Sequence, residues 1–311
     1  MSQIADKLRQ EIYKKIPEGS VIPQHTEKAH FYQVGEIVYP SVTASLAILK
    51  DESLINYKMN EALRYVFKYW KEFNDENIID HLESAENAPQ VRLEDAGDIG
   101  TEIHDIREKI FRDWIFTGKR PEDFLSYIPE DPIKDLRAIS AIRALDKFCT
   151  EWEYEPVVTE LYVYSHKLKY AGTLDDLGLM KKVIRPGDPN CEHEMFESSK
   201  LVKTCMKCDY KSVKEFVLCD LKSSFQFKDH YFFQVALYFE MFRKLIGRVP
   251  ALRVKRVFIL KVSKEDGTYK IEDLKKPSLL ARYCKHMLKT NEGIQLIKQL
   301  RKDNQKQVVT L

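Results

Sequence analysis

Gly172-Thr173-Leu174-Asp175-Asp176 and Cys219-Asp220-Leu221-Lys222-Ser223 are the two stretches that decide the fold. Each is a short apolar run of strand character that meets carboxylates. The first follows Val157 to Tyr164, which is rich in β-branched and aromatic residues, as strands are. The second closes the apolar run Phe216 to Leu221. Asp220 and Lys222 stand two apart in an extended chain, so they project to one face. A carboxylate and an amine on one face, beside another strand's carboxylate, suit metal-assisted hydrolysis of a phosphodiester. Oxygen ligands hold Mg²⁺ or Mn²⁺. The metal lowers the pKa of a bound water and offsets phosphate charge, while the lysine orients or deprotonates that water or steadies developing charge. Alone, Asp-x-Lys is equally the pattern of a surface ion pair beside a turn.

The surroundings read as alternating helix and strand. Upstream, Ser2 to Lys15 forms an amphipathic helix, broken at Pro17 and Gly19. Pro40-Ser41-Val42-Thr43 is a stop followed by N-cap chemistry. Asn56 to Phe73 carries Leu63, Val66, Phe67 and Trp70 at helical spacing, and Asp75 to Asp95 is either loop or exposed helix. Gly97 to Phe116 is a helix with Ile99, Ile103, Ile106, Ile110 and Trp114 on one face. Pro132 to Cys149 is another, with Pro132 in its first turn. Downstream, Asp229 to Ile246 returns to helical spacing, Ala251 to Val262 is a strand that Tyr269 to Ile271 pairs with, and Leu274 to Arg301 is mainly helix. The order implies an α/β protein with a small mixed central sheet flanked by helices. Residues 1–96 form a helical N-terminal portion packed on a core of residues 97–311, which carries an insert at 181–214.

Five elements occur in a telling order: Gly100 and His104 as G-x-x-x-H, Glu160 in a strand, Gly172 and Asp175 as G-x-x-D, Asp220-Leu221-Lys222-Ser223, and Gln234 and Tyr238 as Q-x-x-x-Y. Together with Pro40-Ser41-Val42-Thr43, this resembles the RecB-type branch of the PD-(D/E)XK nuclease superfamily. That branch includes phage, CRISPR-associated and mitochondrial single-strand exonucleases. The resemblance spans roughly residues 40 to 262 and implies a restriction-endonuclease-like core. It implies His104, Asp175, Asp220 and the Leu221 carbonyl as ligands of a catalytic Mg²⁺ or Mn²⁺, with the imidazole favouring Mn²⁺. Lys222 matches the catalytic lysine, Gln234 and Tyr238 match the helix pair that positions DNA or the active site, and Glu160 matches a family acidic position. Asp176 has no counterpart and is expected to support the others.

The resemblance also implies a metal-dependent DNA exonuclease of repair, recombination or replication processing. It would favour single strands or DNA ends and could work with a helicase or recombination partner. Phe225, Phe227, Tyr231 and Phe232 could stack on bases, or simply pack the helix. Two other functions compete. One is a scaffold or nucleic-acid-binding protein on a dead nuclease core, which the intact motifs oppose. The other is a zinc hydrolase.

Forty-four residues lie between Asp175 and Asp220, where many members have a short hairpin. Within them stand Cys191-Glu192-His193 and Cys205-Met206-Lys207-Cys208. Two close pairs of soft or borderline ligands suit a structural, tetrahedral Zn²⁺, which would add folding free energy to a segment too small for its own core. The filled ligand set disfavours zinc catalysis, and the clustering does not match the flanking cysteines of iron–sulfur relatives. Lys200, Lys203, Lys207, Lys211 and Lys214 could bring the insert against a DNA backbone.

Composition is permissive. The chain has 311 residues with 44 % hydrophobic, enough for a packed core, and a net charge of only +2. The charge is unevenly spread. Lys71 to Asp113 holds 5 basic and 13 acidic residues, whereas Met241 to Lys261 holds 7 basic and none acidic. Lys285 to Leu311 adds 6 basic against 2 acidic. The basic excess gathers after the proposed core, where a phosphate backbone would need it. Six cysteines are too few for a disulfide scaffold. The polar N-terminus and the lack of a long apolar run predict an intracellular protein that is neither secreted nor membrane-bound.

Overall fold

The computed structural model describes residues 2–26, 29–46, 52–129, 135–188, 191–192, 195–199, 201–224 and 227–290. A mixed sheet organises them. Its strands are β4 (Glu155–Ser165), β5 (Tyr170–Arg185), β8 (Lys211–Lys222), β9 (Arg256–Val262) and β10 (Tyr269–Asp273), in spatial order β10-β9-β8-β5-β4. The short strands β6 (Met195–Ser199) and β7 (Val202–Cys205) extend it beside β8. All neighbours are antiparallel except β8 and β9, which run parallel. Parallel neighbours need a crossover. Here it is α6 (Asp229–Ile246), whose observed bounds match those read from its spacing.

Helices cover both faces. On one, α1 (Gln3–Lys15), α2 (Val42–Leu46) and α6 bury Leu8, Ile12, Leu46, Val235 and Phe242 against Val157, Leu174 and Leu218 of the sheet. On the other, α4 (Ile78–Thr117) and α5 (Leu136–Glu151) bury Ile103, Ile110, Ile142 and Phe148 against Val217, Phe258 and Leu260. The row Ile99, Ile103, Ile106, Ile110 and Trp114 is buried as its spacing predicts. Helix caps follow the sequence chemistry too: Ser41 Oγ accepts from the Ala44 N–H at 3.0 Å.

Several expectations change. The N-terminal portion is not purely helical, because β1 (Ile22–Thr26), β2 (Ala29–Val34) and β3 (Ile37–Pro40) form a separate antiparallel sheet. It packs Tyr32 and Tyr39 over Ala171 of β5. The boundary at residue 96 falls inside α4, a single 40-residue helix that runs through a buried Pro89. Asp75 to Asp95 is therefore mostly helix. α5 begins at Leu136 with Asp135 as N-cap, and Pro132 lies outside the described residues. The final helix is described over residues 277–290. The first half of α4 pairs with α3 (Glu52–Tyr69) in a hairpin whose Leu63, Phe67 and Trp70 are exposed, so their helical spacing did not mean core. Among the described residues, no helix is long and apolar enough to cross a membrane.

Candidate metal centre

The site forms where β5 and β8 part. Their ladder ends with Asp176 opposite Cys219, so the same register brings Asp175 beside Asp220. Past that point the Leu221 N–H, which the ladder does not pair across to β5, donates to Asp175 Oδ2 at 2.8 Å. Asp175 lies well inside β5, which continues to Arg185, rather than at a strand end as the sequence suggests. Asp220 and Lys222 share a face as predicted, with Lys222 Nζ 2.7 Å from Asp220 Oδ2. That contact lacks hydrogen-bond geometry. Neither oxygen of Asp220 finds a hydrogen-bond partner among the described residues, although the side chain is 1 % exposed.

α4 delivers the rest. His104 Nδ1 stands 3.8 Å from Asp175 Oδ2. One atom each of His104, Glu160 and Asp175 fall within 4.8 Å of one another, a spacing that could hold a metal ion. Arg107, one turn on from His104, shares its helix face. Sequence reading missed it. Its side chain is fully buried, donates from Nη1 to Asp176 Oδ2 at 2.5 Å, and pairs through Nη2 with Glu160. The i, i+3 relation to His104 was the available signal. Asp176 is buried and faces Arg107 rather than His104. Glu160 sits in β4 with φ of 52°, a left-handed conformation that a non-glycine residue adopts only when its surroundings impose it.

The electrostatics reflect crowding. Burial pushes Asp220 up to about 7, even with Lys222 beside it. Burial likewise raises Glu160 to about 8 against the opposing pull of Arg107, and Asp176 to about 6. For Asp175 burial works in the same direction, but His104, Arg107, Lys222 and the Leu221 N–H outweigh it and hold the carboxyl below its usual range. Burial lowers His104 to about 4, so its ring is neutral and free to ligate, with the Leu221 carbonyl close enough to oppose the shift. Burial disfavours the Lys222 ammonium, yet Asp220 and Asp175 more than compensate and raise its pKa. The Lys222 amine is therefore held in its protonated form.

α6 closes the site from the other side. Gln234 Nε2 donates to the Tyr238 hydroxyl at 3.1 Å, both residues buried. The Tyr238 ring lies against Gly172, where a Cβ would come within 2.6 Å of Tyr238 Cε1. Tyr231 places its ring 5.3 Å from Lys222 Nζ, and Phe227 lies 5.6 Å from Lys261 Nζ. Phe232 packs against Phe227, and Phe225 lies outside the described residues. Glu160 also faces a cleft of about 550 Å³ between α1, α4 and β4.

A second cluster forms in the insert. Cys191, Cys205 and Cys208 bring their sulfurs within 4.8 Å of one another and could bind a metal such as zinc. Cys191 Sγ and Cys205 Sγ are 3.8 Å apart. Burial and the neighbouring thiols of Cys208 and Cys205 push Cys191 up to about 11. His193 lies outside the described residues, as does Lys200. Lys203 and Lys214 reach Glu153 and Glu155 at 3.2 Å each, so these two lysines tie the insert to the core.

No family model matches the chain, and no curated protein matches it.

Proposed function

We propose that the protein is a metal-dependent deoxyribonuclease of the RecB-type PD-(D/E)XK kind, an exonuclease that hydrolyses phosphodiester bonds at DNA ends or in single strands. The observation that carries this reading is the buried Asp220, whose two oxygens have no hydrogen-bond partner among the described residues, set beside Lys222 and across from Asp175 and His104. Lys222 compensates one oxygen of Asp220; its other buried oxygen is left for a cation to complete. The donor set, carboxylate oxygens with one imidazole and the Leu221 carbonyl nearby, fits Mg²⁺ or Mn²⁺. The mixed sheet with its β8–α6–β9 crossover supports a restriction-endonuclease-like core.

A bound divalent cation would offset charge on the scissile phosphate and make an attacking water more acidic. Asp175 and Asp220 would hold that cation, and His104 would add a neutral nitrogen. Lys222 keeps its proton on Nζ and donates toward the phosphate or the water. Gln234 and Tyr238 brace the back of the site through their mutual hydrogen bond. Tyr231 and Phe227 offer ring faces beside cations, which suits unpaired bases.

The test uses end-labelled single- and double-stranded DNA with Mg²⁺ or Mn²⁺, beside Asp220→Ala and Lys222→Ala. The wild type is expected to shorten single strands from an end and both variants to be inert. Equal degradation by all three proteins, or none with either metal, removes the assignment.

A further inference from the structure

α4 does not end at the metal centre. Gly100 lies against Ser223, where a Cβ would meet Ser223 Oγ at 3.4 Å, and the helix extends outward from there to Ile78. α3 packs antiparallel along this outer half: Glu61 pairs with Arg92 at 2.7 Å, and the Tyr65 hydroxyl meets His81 Nδ1 at 3.2 Å. At ~1.5 Å per residue, Arg92 stands about 18 Å from His104 along the helix and His81 about 35 Å. The outer face of α3 lies across that span.

Leu63, Phe67 and Trp70 follow one another on that face at i, i+4 and i+7, with Phe67 exposed to 75 % and Trp70 to 60 %. Beside them runs a row of cations, Arg64, Lys68 and Lys71, and Leu63 to Lys71 holds no acidic residue. Arg64 is partly neutralised by Glu61. Lys68 and Lys71 make no ion pair among the described residues. They stand over rings instead, with Lys68 Nζ 4.7 Å from the centre of the Tyr69 ring and Lys71 Nζ 5.8 Å from that of Trp70. The metal centre repeats this pairing in Tyr231 with Lys222 and Phe227 with Lys261. α4, by contrast, exposes Asp80, Glu83, Glu86 and Glu94. Contiguous exposed apolar groups mark an interaction surface, and cations with no acid among them select a polyanion. Open rings beside those cations select one with unpaired bases, because a duplex keeps its base faces stacked on each other.

We propose that the outer face of α3 is a landing surface for single-stranded DNA, about 18–35 Å from His104 along α4. Bases stack on Phe67 and Trp70, and phosphates lie along Lys68 and Lys71. The proposal deepens the nuclease reading and rests on it for the identity of the strand. A strand long enough to touch both places is held at two points, which raises its effective concentration at the centre. A strand of a few nucleotides reaches only one. The carboxylates of α4 repel the same strand and leave the α3 side as its approach.

Binding is measured on the full chain without turnover, in buffer free of Mg²⁺ and Mn²⁺. The probe is end-labelled oligo-dT of about 5 or about 20 nucleotides, lengths that bracket the ~4–16 nucleotides of a typical single-strand site. Fluorescence anisotropy is expected to show the wild type holding the longer strand more tightly, with its tryptophan emission quenched. Phe67→Ala combined with Trp70→Ala is expected to weaken the longer strand about 10–100-fold, the loss of one or two stacked bases. Lys68→Glu combined with Lys71→Glu should weaken it too and flatten its salt dependence. Trp70→Phe keeps a ring, and is expected to keep the affinity while losing the quench. Val91→Ala, at a position of α4 as exposed as Trp70, should change nothing. A double ring variant that binds like wild type overturns the inference alone, as does a Val91→Ala that weakens binding equally. Loss of binding to phosphatidylserine vesicles, or of self-association, in the ring variant with DNA affinity intact would give the face to a lipid surface or to a second copy. No binding of either strand by the wild type overturns the inference together with the nuclease reading. Ring-dependent binding by a wild type that cleaves nothing with either metal keeps the surface and removes the nuclease.

Discussion

Replacing Asp220 by Asn is expected to abolish cleavage yet stabilise the metal-free protein at alkaline pH. The carboxylate is 1 % exposed and has no hydrogen-bond partner among the described residues, and burial lifts its pKa from the ordinary 3.8 to about 7. That is roughly three pH units, or about 4 kcal/mol at ~1.36 kcal/mol per unit. The sign follows from the direction of the shift. A folded-state pKa above the unfolded one means the contribution to stability is complete below about pH 4 and is lost as pH rises through about 7. Asn carries no such penalty. The pull of Lys222 is already contained in the value of about 7. The expectation is a gain of about 4 kcal/mol at pH 8.5, falling to about 1–2 kcal/mol at pH 5.0. Urea denaturation followed by tryptophan fluorescence, on both proteins prepared identically in metal-free buffer, measures it. Adding Mg²⁺ or Mn²⁺ then narrows the gap, since an ion at one hundred times its Kd stabilises only the protein that binds it, by about 2.7 kcal/mol. An Asn variant less stable than wild type at pH 8.5, or equally favoured at both pH values, would show that the carboxylate is not held against its own charge.

Three further outcomes are expected. Lys222→Met should lower the cleavage rate by about 10²–10³ in a gel assay with little change in DNA affinity, because the lysine acts on charge that develops at the reacting phosphate. Gly172→Ala drives a methyl to within 2.6 Å of the Tyr238 ring, and should cost about 1–3 kcal/mol in a denaturation midpoint; an unchanged midpoint would mean that the ring is not fixed there. Cys205→Ser should remove zinc detected by elemental analysis and lower the thermal midpoint, while Cys149→Ser, far from the cluster, should leave zinc content unchanged.

What could be read from sequence was what repeats. The apolar periods of α4 and α6, the β-branched density of β4 and the two-residue spacing of Asp220 and Lys222 each state their geometry directly. The small sheet β1–β3 has no such signal. Its residues alternate weakly, Ile37 and Val38 are about half exposed, and only Tyr32, Val34 and Tyr39 of these strands are buried in its cluster with Val21 and Ala171. Asp75 to Asp95 is polar and acidic, with no apolar period to separate loop from exposed helix, and it holds Pro89, a residue that costs about 3 kcal/mol inside a helix. The helix nonetheless runs through it, with the residue buried.

Arg107 shows why a motif reading stops short of a site. A motif records residue types at short spacings, and the partners of Arg107 are remote: Asp176 and Glu160, 69 and 53 residues away. Residue type does not distinguish it from the neighbouring Arg112, whose guanidinium pairs with Glu108 on the exposed face of the same helix. The difference is rotational. Three residues after His104 places Arg107 over the sheet, and eight residues after places Arg112 at the rim. Once the helix is docked by Ile103, Ile106 and Ile110, burial of that guanidinium is enforced by its apolar neighbours. Two strand carboxylates must then converge on it, and their convergence holds Glu160 beside His104 and Asp175.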